Sequence, residues 1–245
     1  MVNQLKEDTM PQRRVLITGA SKGIGRAVAD RVAAAGHLPI GLARTGPEDF
    51  PGEFYEVDLA DRAATAEVLD KIVASGRIDA VVNNAGLARF ARIGSIDLDD
   101  LFTTYDLNVR AAVQVVQAVL PGMLAAGWGR IVNVTSLTTL GTPERTPYAA
   151  SKAALEAATR IWAGELAQTG ITVNAVAPGP VETEMFRAGS PIGSDREARL
   201  LESIPLQRVG TPREIAHAIV ALLDEDAGYI TGQILRADGG GSIAA

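Results

Sequence analysis

The segment Thr18-Gly19-Ala20-Ser21-Lys22-Gly23-Ile24-Gly25 decides the fold through what precedes and follows it. The apolar run 15–20 predicts a buried strand. Apolar residues at helical spacing then predict a helix that Gly36 ends: Ile24, Val28, Val32 and Ala35. Glycines allow a tight turn and a close approach to a pyrophosphate, and the new helix offers free N–H groups to that anion. A ligand-free turn is the alternative, but the strand–turn–helix order favours dinucleotide binding.

Short apolar runs alternate with longer amphipathic stretches along the rest of the chain. The predicted strands cover 15–20, 38–43, 54–59, 78–83, 130–136, 172–177 and 233–237. After the first helix, further helices are predicted at about 63–74, 98–126, 148–169 and 212–223. This alternation predicts an α/β fold with a doubly wound parallel sheet of Rossmann type, in three αβα layers. We expect a single catalytic domain over 15–245, preceded by a flexible polar leader at 1–14.

Composition limits the classes of function. The chain has 245 residues, of which 47% are hydrophobic and 21% charged, as in an ordinary globular domain. Its net charge of −6 argues against a general nucleic-acid or anionic-membrane binder, since both need basic surface. It has no cysteine, and its two histidines, His37 and His217, are far apart, so we expect no metal site. No apolar run of about 18 residues stands out, so we expect no membrane span and a cytoplasmic location.

Further short motifs follow in order over nearly the whole chain. They are Gly19-x-x-x-Gly23-x-Gly25, Asn83-Asn84-Ala85-Gly86, Asn108, Ser136, Tyr148-x-x-x-Lys152, Pro178-Gly179 with Thr183, Tyr229-Ile-Thr-Gly-Gln and Asp238-Gly-Gly. Each motif alone is weak, but together they resemble the short-chain dehydrogenase/reductase family. The resemblance implies an oxidoreductase that moves a hydride between a nicotinamide dinucleotide and a ketone or secondary alcohol.

Tyr148 and Lys152 are four residues apart, so they share one face of a helix. A nearby ammonium favours phenolate and lowers the pKa of a tyrosine, which would suit Tyr148 to act as the general acid/base. Ser136 would hydrogen-bond and orient the same substrate oxygen. In isolation such a pair is more often a solvated helix face, but the surrounding motifs favour catalysis.

Asn108 lies inside the predicted helix 98–126. Asparagine is unfavourable there because its side chain competes for backbone hydrogen bonds. Exposure on the helix surface would make it tolerable without any function. The family resemblance implies instead that Asn108 holds a water linking Lys152 to a proton relay.

The end of the second predicted strand, Ile40-Gly41-Leu42-Ala43-Arg44-Thr45, bears on the choice of cofactor. It lacks the carboxylate that contacts the ribose hydroxyls of NAD in many dinucleotide folds. Arg44 can bind a 2′-phosphate and Lys22 adds a second cation, so NADP(H) is predicted over NAD(H). The alternative is that Arg44 merely extends into solvent.

The resemblance assigns cofactor contacts along the chain. Asp58-Leu59 would contact adenine, Asn84-Ala85-Gly86 would pass beneath the cofactor, and Pro178 to Thr183 would flank the nicotinamide. The complete set of predicted cofactor residues is Gly19, Ser21, Lys22, Gly23, Ile24, Gly25, Arg44, Asp58, Leu59, Asn84, Ala85, Gly86, Tyr148, Lys152, Pro178, Gly179, Val181 and Thr183.

The segment 184–205 mixes glycine, proline and charges, which is typical of mobile substrate loops, so we predict a lid there. Ser194-x-x-Glu197 predicts a short helix within it. The segments Ile204-Pro205-Leu206-x-Arg208-x-Gly210 and Tyr229-Ile-Thr-Gly-Gln most resemble the 3-oxoacyl-acyl-carrier-protein reductase branch. Members of that branch often carry a basic residue for the carrier where this chain has Thr169, whereas Arg130 is present at a second such position.

The substrate is therefore predicted to be a carbonyl compound, either bound to a carrier or a free small molecule. An NAD(H)-dependent alcohol or sugar dehydrogenase of the same family is one alternative. A non-catalytic dinucleotide-sensing protein is another, although such proteins typically lose the tyrosine or lysine retained here. A sugar-nucleotide epimerase would need a larger substrate domain.

The predicted helix 212–223 and the last strand should form one edge of the sheet, and open edges invite pairing. This helix carries more apolar residues than one contact requires, unless part of that surface is core: Ile215, Ala216, Ala218, Ile219, Val220, Leu222 and Leu223. Related enzymes pack this edge and the helices 98–126 and 148–169 across two-fold axes. The resemblance therefore implies a homotetramer.

Overall fold

The computed structural model describes residues 12–243, and its centre is a sheet of seven strands in the order β3-β2-β1-β4-β5-β6-β7. The strands are β1 Arg14–Thr18, β2 Leu38–Ala43, β3 Glu53–Glu56, β4 Ala80–Asn83, β5 Gly129–Val134, β6 Ile171–Pro178 and β7 Ile234–Ala237. All neighbouring pairs are parallel. The order reverses between β1 and β4, which opens a crevice at the carboxyl ends of these strands. The predicted doubly wound sheet is confirmed.

Helices cover both faces of this sheet. Within the described chain they are α1 Gly23–Ala34, α2 Arg62–Ala74, α3 Leu98–Tyr105, α4 Ala111–Ala126, α5 Thr146–Glu165, α6 Glu184–Gly189, α7 Asp195–Glu202 and α8 Pro212–Ala221. Alternate residues of β1 serve the two faces: Val15 and Ile17 pack with α1 and α8, whereas Leu16 packs with α2 and α4. The core therefore consists of two apolar clusters separated by the sheet, as three layers require.

The amino-terminal boundary differs from the prediction. Residues 1–11 of the predicted leader lie outside the described residues. Arg14 begins β1, and the Arg13 guanidinium stacks on the Trp128 ring at 4.0 Å and pairs with Glu225. The domain therefore includes Arg13 and Arg14.

Several predicted strands run past the ends that the structure shows. The predicted strand 54–59 stops at Glu56, although Leu59 is buried, and the predicted strand 130–136 stops at Val134. Ser136 instead caps a short 3-10 turn, Leu137–Leu140, by accepting a hydrogen bond from the Thr138 backbone N–H. An apolar pattern indicates burial rather than strand pairing. Here buried residues continue past the ends of the hydrogen-bonded strands into the loops around the crevice.

The predicted helix 98–126 is interrupted in its middle. Between α3 and α4, residues Asp106–Arg110 form a π-helical turn. By length and composition the whole run Leu98–Ala126 could span a membrane, contrary to the sequence expectation. In the structure α4 packs against α2, and α3 packs against α5.

Most of the apolar surface of α8, which could have formed an interface or part of the core, lies in the core. Ile215, Ala216 and Ile219 are buried in the core, and α8 packs against α1. Much of the surface that suggested an interface is therefore core. The strand β7 does lie at the sheet edge, as predicted, with Leu235 44% exposed.

The glycine turn requires glycine for two different reasons. Gly19 and Gly23 have φ angles of +66° and +58°, in the left-handed region that disfavours a side chain. Gly25 needs space, because a methyl group there would overlap the Gly19 carbonyl oxygen and lie 2.6 Å from the Asn84 Nδ2 atom. The start of α1 is thus held in direct contact with the end of β1.

Gly25→Ala tests this close packing. We expect a loss of about 1–3 kcal/mol in the free energy of unfolding, because a rigid backbone oxygen must move. Gly164→Ala is the matched control, since the same methyl group at the exposed end of α5 meets nothing within 4 Å. Urea unfolding at fixed protein concentration measures both, and equal stabilities of the two variants would contradict the packing argument.

Candidate active site

A cavity of about 1500 Å³ opens at the carboxyl ends of the strands. Residues from the glycine turn, from the ends of β2, β4, β5 and β6, and from α5, α6 and α7 line it. The predicted site residues that line it are Gly19, Ser21, Lys22, Gly23, Ile24, Arg44, Asp58, Leu59, Asn84, Ala85, Gly86, Ser136, Tyr148, Lys152, Pro178, Gly179, Val181 and Thr183. Gly25 lies just beneath the turn and Asn108 just behind Gly86. One cavity therefore collects the predicted cofactor and catalytic residues.

Asn84 joins the glycine turn to the end of β4. Its Nδ2 atom donates hydrogen bonds to the Thr18 carbonyl (2.9 Å) and the Gly19 carbonyl (3.1 Å). The Thr18 hydroxyl oxygen in turn accepts from the backbone N–H groups of Asn84 and Ala85, both at 3.0 Å. These bonds fix the backbone around the N-terminus of α1, where free N–H groups can meet an anion.

The two cations predicted to read a 2′-phosphate behave differently. Arg44 follows β2, is exposed and lines the cavity. Among residues 12–243 no carboxylate lies within 4.0 Å of its guanidinium. Lys22 instead pairs with Glu184 at the start of α6. The structure therefore leaves Arg44 available to an anion, whereas part of the Lys22 charge is already compensated.

The remaining predicted cofactor residues follow β3 and β6. Leu59 is buried, and the Asp58 carboxylate accepts a hydrogen bond from the Ala60 N–H at 3.0 Å. Thr183 caps α6, and its methyl group lies 3.4 Å from where a Cβ would stand on Gly23. The segment after β6 therefore closes over the glycine turn.

Tyr148 and Lys152 lie on α5 and face the cavity, as their spacing predicts. Lys152 is 3% exposed, and its Nζ atom lies 5.9 Å from the centre of the Tyr148 ring. The ammonium donates a 2.8 Å hydrogen bond to the Val134 carbonyl at the end of β5. Burial lowers the pKa of Lys152 to about 8.

The expected direction of the Tyr148 pKa shift is wrong for this structure. Burial of the phenol raises the pKa of Tyr148 above its ordinary value, and a hydrogen bond with the Ser136 side chain opposes that rise. The Lys152 ammonium, 5.9 Å from the centre of the phenol ring, does not reverse this rise. Desolvation, which the sequence argument left out, prevails here.

Asn108 is 1% exposed, which excludes the interpretation that it is tolerated at the surface. Its Nδ2 atom donates to the Leu87 carbonyl (3.0 Å) and to the Ser151 hydroxyl (2.9 Å), and its Oδ1 accepts from the Leu87 N–H (2.7 Å). A methyl group on Gly86 would lie 3.3 Å from Lys152 Nζ and 3.4 Å from Asn108 Oδ1. Asn108 therefore stands beside Lys152, on a π turn of the kind frequently found at functional sites.

The predicted lid consists of α6 and α7. Ser194 caps α7 by accepting from the Glu197 N–H at 3.2 Å, as predicted. The reciprocal half of the capping box is absent among the described residues, because the Glu197 carboxylate accepts from Gly193 N–H and pairs with Arg187. Met185, Phe186 and Leu200 line the cavity from these helices.

Three cavity residues beside Tyr148 escaped the sequence analysis. The Arg145 guanidinium stacks over the Phe90 ring at 3.7 Å, and the Phe90 ring meets the Tyr148 ring edge-on, with 6.1 Å between centroids. Arg196, on α7, lines the same region. Arg145 lies three residues before Tyr148, about one helical turn away, and this spacing could have predicted that the two residues share one side of the helix.

Arg130 is not placed for a carrier contact. It is 3% exposed, and its guanidinium donates to the backbone carbonyls of Gly129, Gly170, Asp224 and Glu225. Burial lowers the pKa of Arg130. The expectation that this residue could meet an acidic carrier is therefore wrong, because its donors join β5 to the loops around β6 and α8.

In the described part of the chain, no cluster of three or more histidine, aspartate or glutamate side chains could hold a metal ion.

Comparison with known proteins gives matches over nearly the full length. Residues 19–242 match the family model described as Enoyl-(Acyl carrier protein) reductase. A 3-oxoacyl-(acyl-carrier-protein) reductase of Thermotoga maritima is 38% identical, over 92% of this chain and 96% of its own.

Two solved structures show the same fold. The ligand-free aldohexose dehydrogenase of Thermoplasma acidophilum has a TM-score of 0.90 at 30% identity, covering 96% of this chain and 95% of that one. The gluconate 5-dehydrogenase of Burkholderia cenocepacia, in complex with NADP and tartrate, has a TM-score of 0.88 at 32% identity, covering 95% and 96%. The site described above therefore lies on a fold shared with dehydrogenases and reductases.

Proposed function

The chain belongs to the short-chain dehydrogenase/reductase family, and we propose that it interconverts a ketone and a secondary alcohol with NADP(H), using Tyr148 as general acid/base. It is an NAD(P)-dependent oxidoreductase acting on a CH–OH or C=O group. The observation that carries the proposal is that Tyr148, Ser136 and Lys152 meet in the cavity that also contains the glycine turn. This arrangement argues against a non-catalytic sensor.

The protein residues supply the proton and orient the substrate, while the bound nicotinamide would supply or accept the hydride. Ser136 Oγ already accepts from the Thr138 N–H (3.2 Å) and the Thr138 hydroxyl (3.0 Å). Its own hydrogen is therefore left to donate, toward the Tyr148 oxygen or the substrate oxygen. The neutral phenol favoured by burial can give its proton to the carbonyl oxygen during reduction.

Lys152 and Asn108 would restore the Tyr148 proton. With a pKa of about 8, Lys152 can gain or lose a proton near neutral pH. Asn108 lies beside it and is fixed by three hydrogen bonds, so it can position a water next to the ammonium. We assign Lys152 to proton supply and Asn108 to holding that relay.

The predicted cofactor residues fit NADP(H). The turn offers backbone N–H groups, and added side chains at Gly19, Gly23 or Gly25 would be strained or would fill the space. Arg44 gives a free guanidinium at the adenosine side, which suits a 2′-phosphate. A related structure described as containing NADP supports the same preference.

The reductases that match the chain at 38% identity point to 3-oxoacyl thioesters as substrates. A second candidate is a free small ketone or sugar acid, as in the dehydrogenases of similar fold. The burial of Arg130 favours this candidate, because it removes one basic contact for an acidic carrier, and Thr169 supplies none. We propose that substrates reach the site without a docked carrier, in the cytoplasm.

Assembly as a homotetramer is also proposed. Leu98, Phe102 and Ile161 on α3 and α5 are more than half exposed, and so are Tyr229 and Ile243 near the β7 edge. Apolar surface of this extent is costly in water and is typical of interfaces. Two such surfaces allow the two kinds of two-fold contact that a tetramer needs.

Tyr148→Phe tests the acid/base assignment. Because general acid/base catalysis contributes about 10²–10⁴-fold, we expect kcat to fall by at least about 100-fold while the dissociation constant for NADPH is unchanged. Tyr55→Phe is the control, since it removes a hydroxyl that bonds only Glu53 on β3. Turnover of Tyr148→Phe near that of the wild type, followed at the nicotinamide absorbance, would rule the assignment out.

Arg44→Asp tests cofactor choice. Because attraction of the 2′-phosphate is replaced by repulsion, the affinity for NADPH should fall about 10- to 100-fold. The affinity for NADH should stay equal or improve. Arg213→Asp, the same charge reversal on the exposed surface of α8, should change neither affinity. Calorimetric titration decides, and a wild-type enzyme that binds NADH more tightly than NADPH contradicts the proposal.

Light scattering tests assembly. We expect four times the 25.6 kDa chain mass for the active wild type, and a smaller species for Phe102→Glu, because the charge would enter an apolar contact. Ile192→Glu, at an exposed site between α6 and α7, should remain tetrameric. A fully active monomer at micromolar concentration would overturn the proposal.

A further inference from the structure

Arg145 occupies an unusual place in the cavity. It occupies the N-cap position of α5, one turn before Tyr148, without a side-chain capping bond, and its backbone pairs with Ala91 in an isolated bridge. Its guanidinium stacks on Phe90 at 3.7 Å, and Phe90 contacts Tyr148 edge-on at 6.1 Å. The Phe90 ring therefore lies between the Arg145 cation and the Tyr148 phenol.

No carboxylate of residues 12–243 lies within 4.0 Å of the Arg145 guanidinium. The adjacent Glu144, whose charge acts on both Arg145 and Arg196, makes its ion pair with Arg92. Arg196, on α7, lines the same cavity, and burial and the Arg196 charge lower the pKa of Arg145, whereas Glu144 opposes that shift. Arg145 and Arg196 are thus two cavity cations that form no ion pair among the described residues, and an anion that bound both would be stabilised.

The cofactor is not the anion that this pair fits. Arg44, at the end of β2, lies on one side of β1 in the sheet, whereas β5 and α5 lie on the other side. Two other arginines line the cavity: Arg89 is paired with Asp100, and Arg199 lies on α7 three residues after Arg196. Arg145 and Arg196 thus face the substrate end of the cavity.

We propose that Arg145 and Arg196 bind an oxyanion of the substrate, a carboxylate or a phosphate, separated by a short chain from the carbon that reacts. This inference rests on the proposed function and narrows its substrate class to small anionic ketones and their alcohols. A guanidinium matches either group through two parallel N–H donors. Because Arg145 lies at the N-terminal end of α5 and Arg196 on α7, a shared anion would also hold the lid against α5.

The test compares two pairs of ketones in which one member carries an anionic group and the other has that group esterified or removed. Acetoacetate is compared with ethyl acetoacetate, and dihydroxyacetone phosphate with dihydroxyacetone, each reduced with NADPH. The two pairs distinguish a carboxylate from a phosphate as the preferred group. We expect the wild type to have a higher kcat/KM for the anion than for the neutral compound in at least one pair.

The variants are Arg145→Gln, Arg145→Lys and Arg196→Gln. Losing a charged hydrogen bond should raise KM for the anion about 10- to 100-fold in Arg145→Gln, with kcat and the KM of the neutral partner nearly unchanged. Arg145→Lys should recover part of the loss, and Arg196→Gln should act in the same direction. Arg213→Gln, which removes an equal charge on exposed α8, should have no effect.

A second readout does not depend on turnover. Malonate, which cannot be reduced, should bind the wild-type complex with NADP⁺ in a calorimetric titration and bind Arg145→Gln at least about tenfold more weakly. Equal losses for anionic and neutral ketones in Arg145→Gln, or a wild type indifferent to charge, would overturn the anion site. A wild-type enzyme that reduces none of the four compounds, and so does not differ from Tyr148→Phe, would instead overturn the proposed function.

Discussion

The hydrogen bonds between Asn84 and the end of β1 are the constraint on which the rest of the site depends. The Asn84 amide donates to two carbonyls of the turn, and Thr18 accepts two backbone N–H groups from the end of β4. Gly25 packs against these same atoms, so the N-terminus of α1 cannot move without breaking them. The N-terminal end of α1 and the floor of the cavity therefore form one rigid unit, which could position a bound cofactor.

A chain of buried polar side chains extends this rigidity to α5. Asn83 on β4 donates to Asn133 on β5 at 2.8 Å, and Asn133 donates to Thr159 on α5 at 2.9 Å. A buried polar group that loses its partner costs about 1–3 kcal/mol, so these bonds favour one register of α5 on the sheet. That register places Tyr148 and Lys152 in the cavity. The same dry environment keeps the phenol protonated and makes the lysine a weaker base, which prepares both for proton exchange.

The sequence predicted those features that local geometry imposes. The turn of Gly19 to Gly25 and the i, i+4 pair of Tyr148 and Lys152 depend on spacing alone, and the structure reproduces both. The sequence could not predict the properties that depend on how distant segments pack. The Tyr148 pKa follows from burial, Lys22 is partnered by a glutamate 162 residues away, and Asn108 sits on a π turn rather than in an ordinary helix. Each of these requires knowing which distant segments meet.

Arg130 and Arg145 show why residue type alone cannot identify a binding site. Both guanidiniums stack on an aromatic ring, of Trp128 and Phe90 respectively. Arg130 has its donors taken by four backbone carbonyls, so its charge serves the fold and is closed to a partner. Arg145 also lines the cavity, and within residues 12–243 no carboxylate lies within 4.0 Å of its guanidinium. The proposed selection of substrate charge therefore rests on the wall beside Tyr148, whereas the buried Arg130 at the start of β5 is closed to an acidic macromolecule.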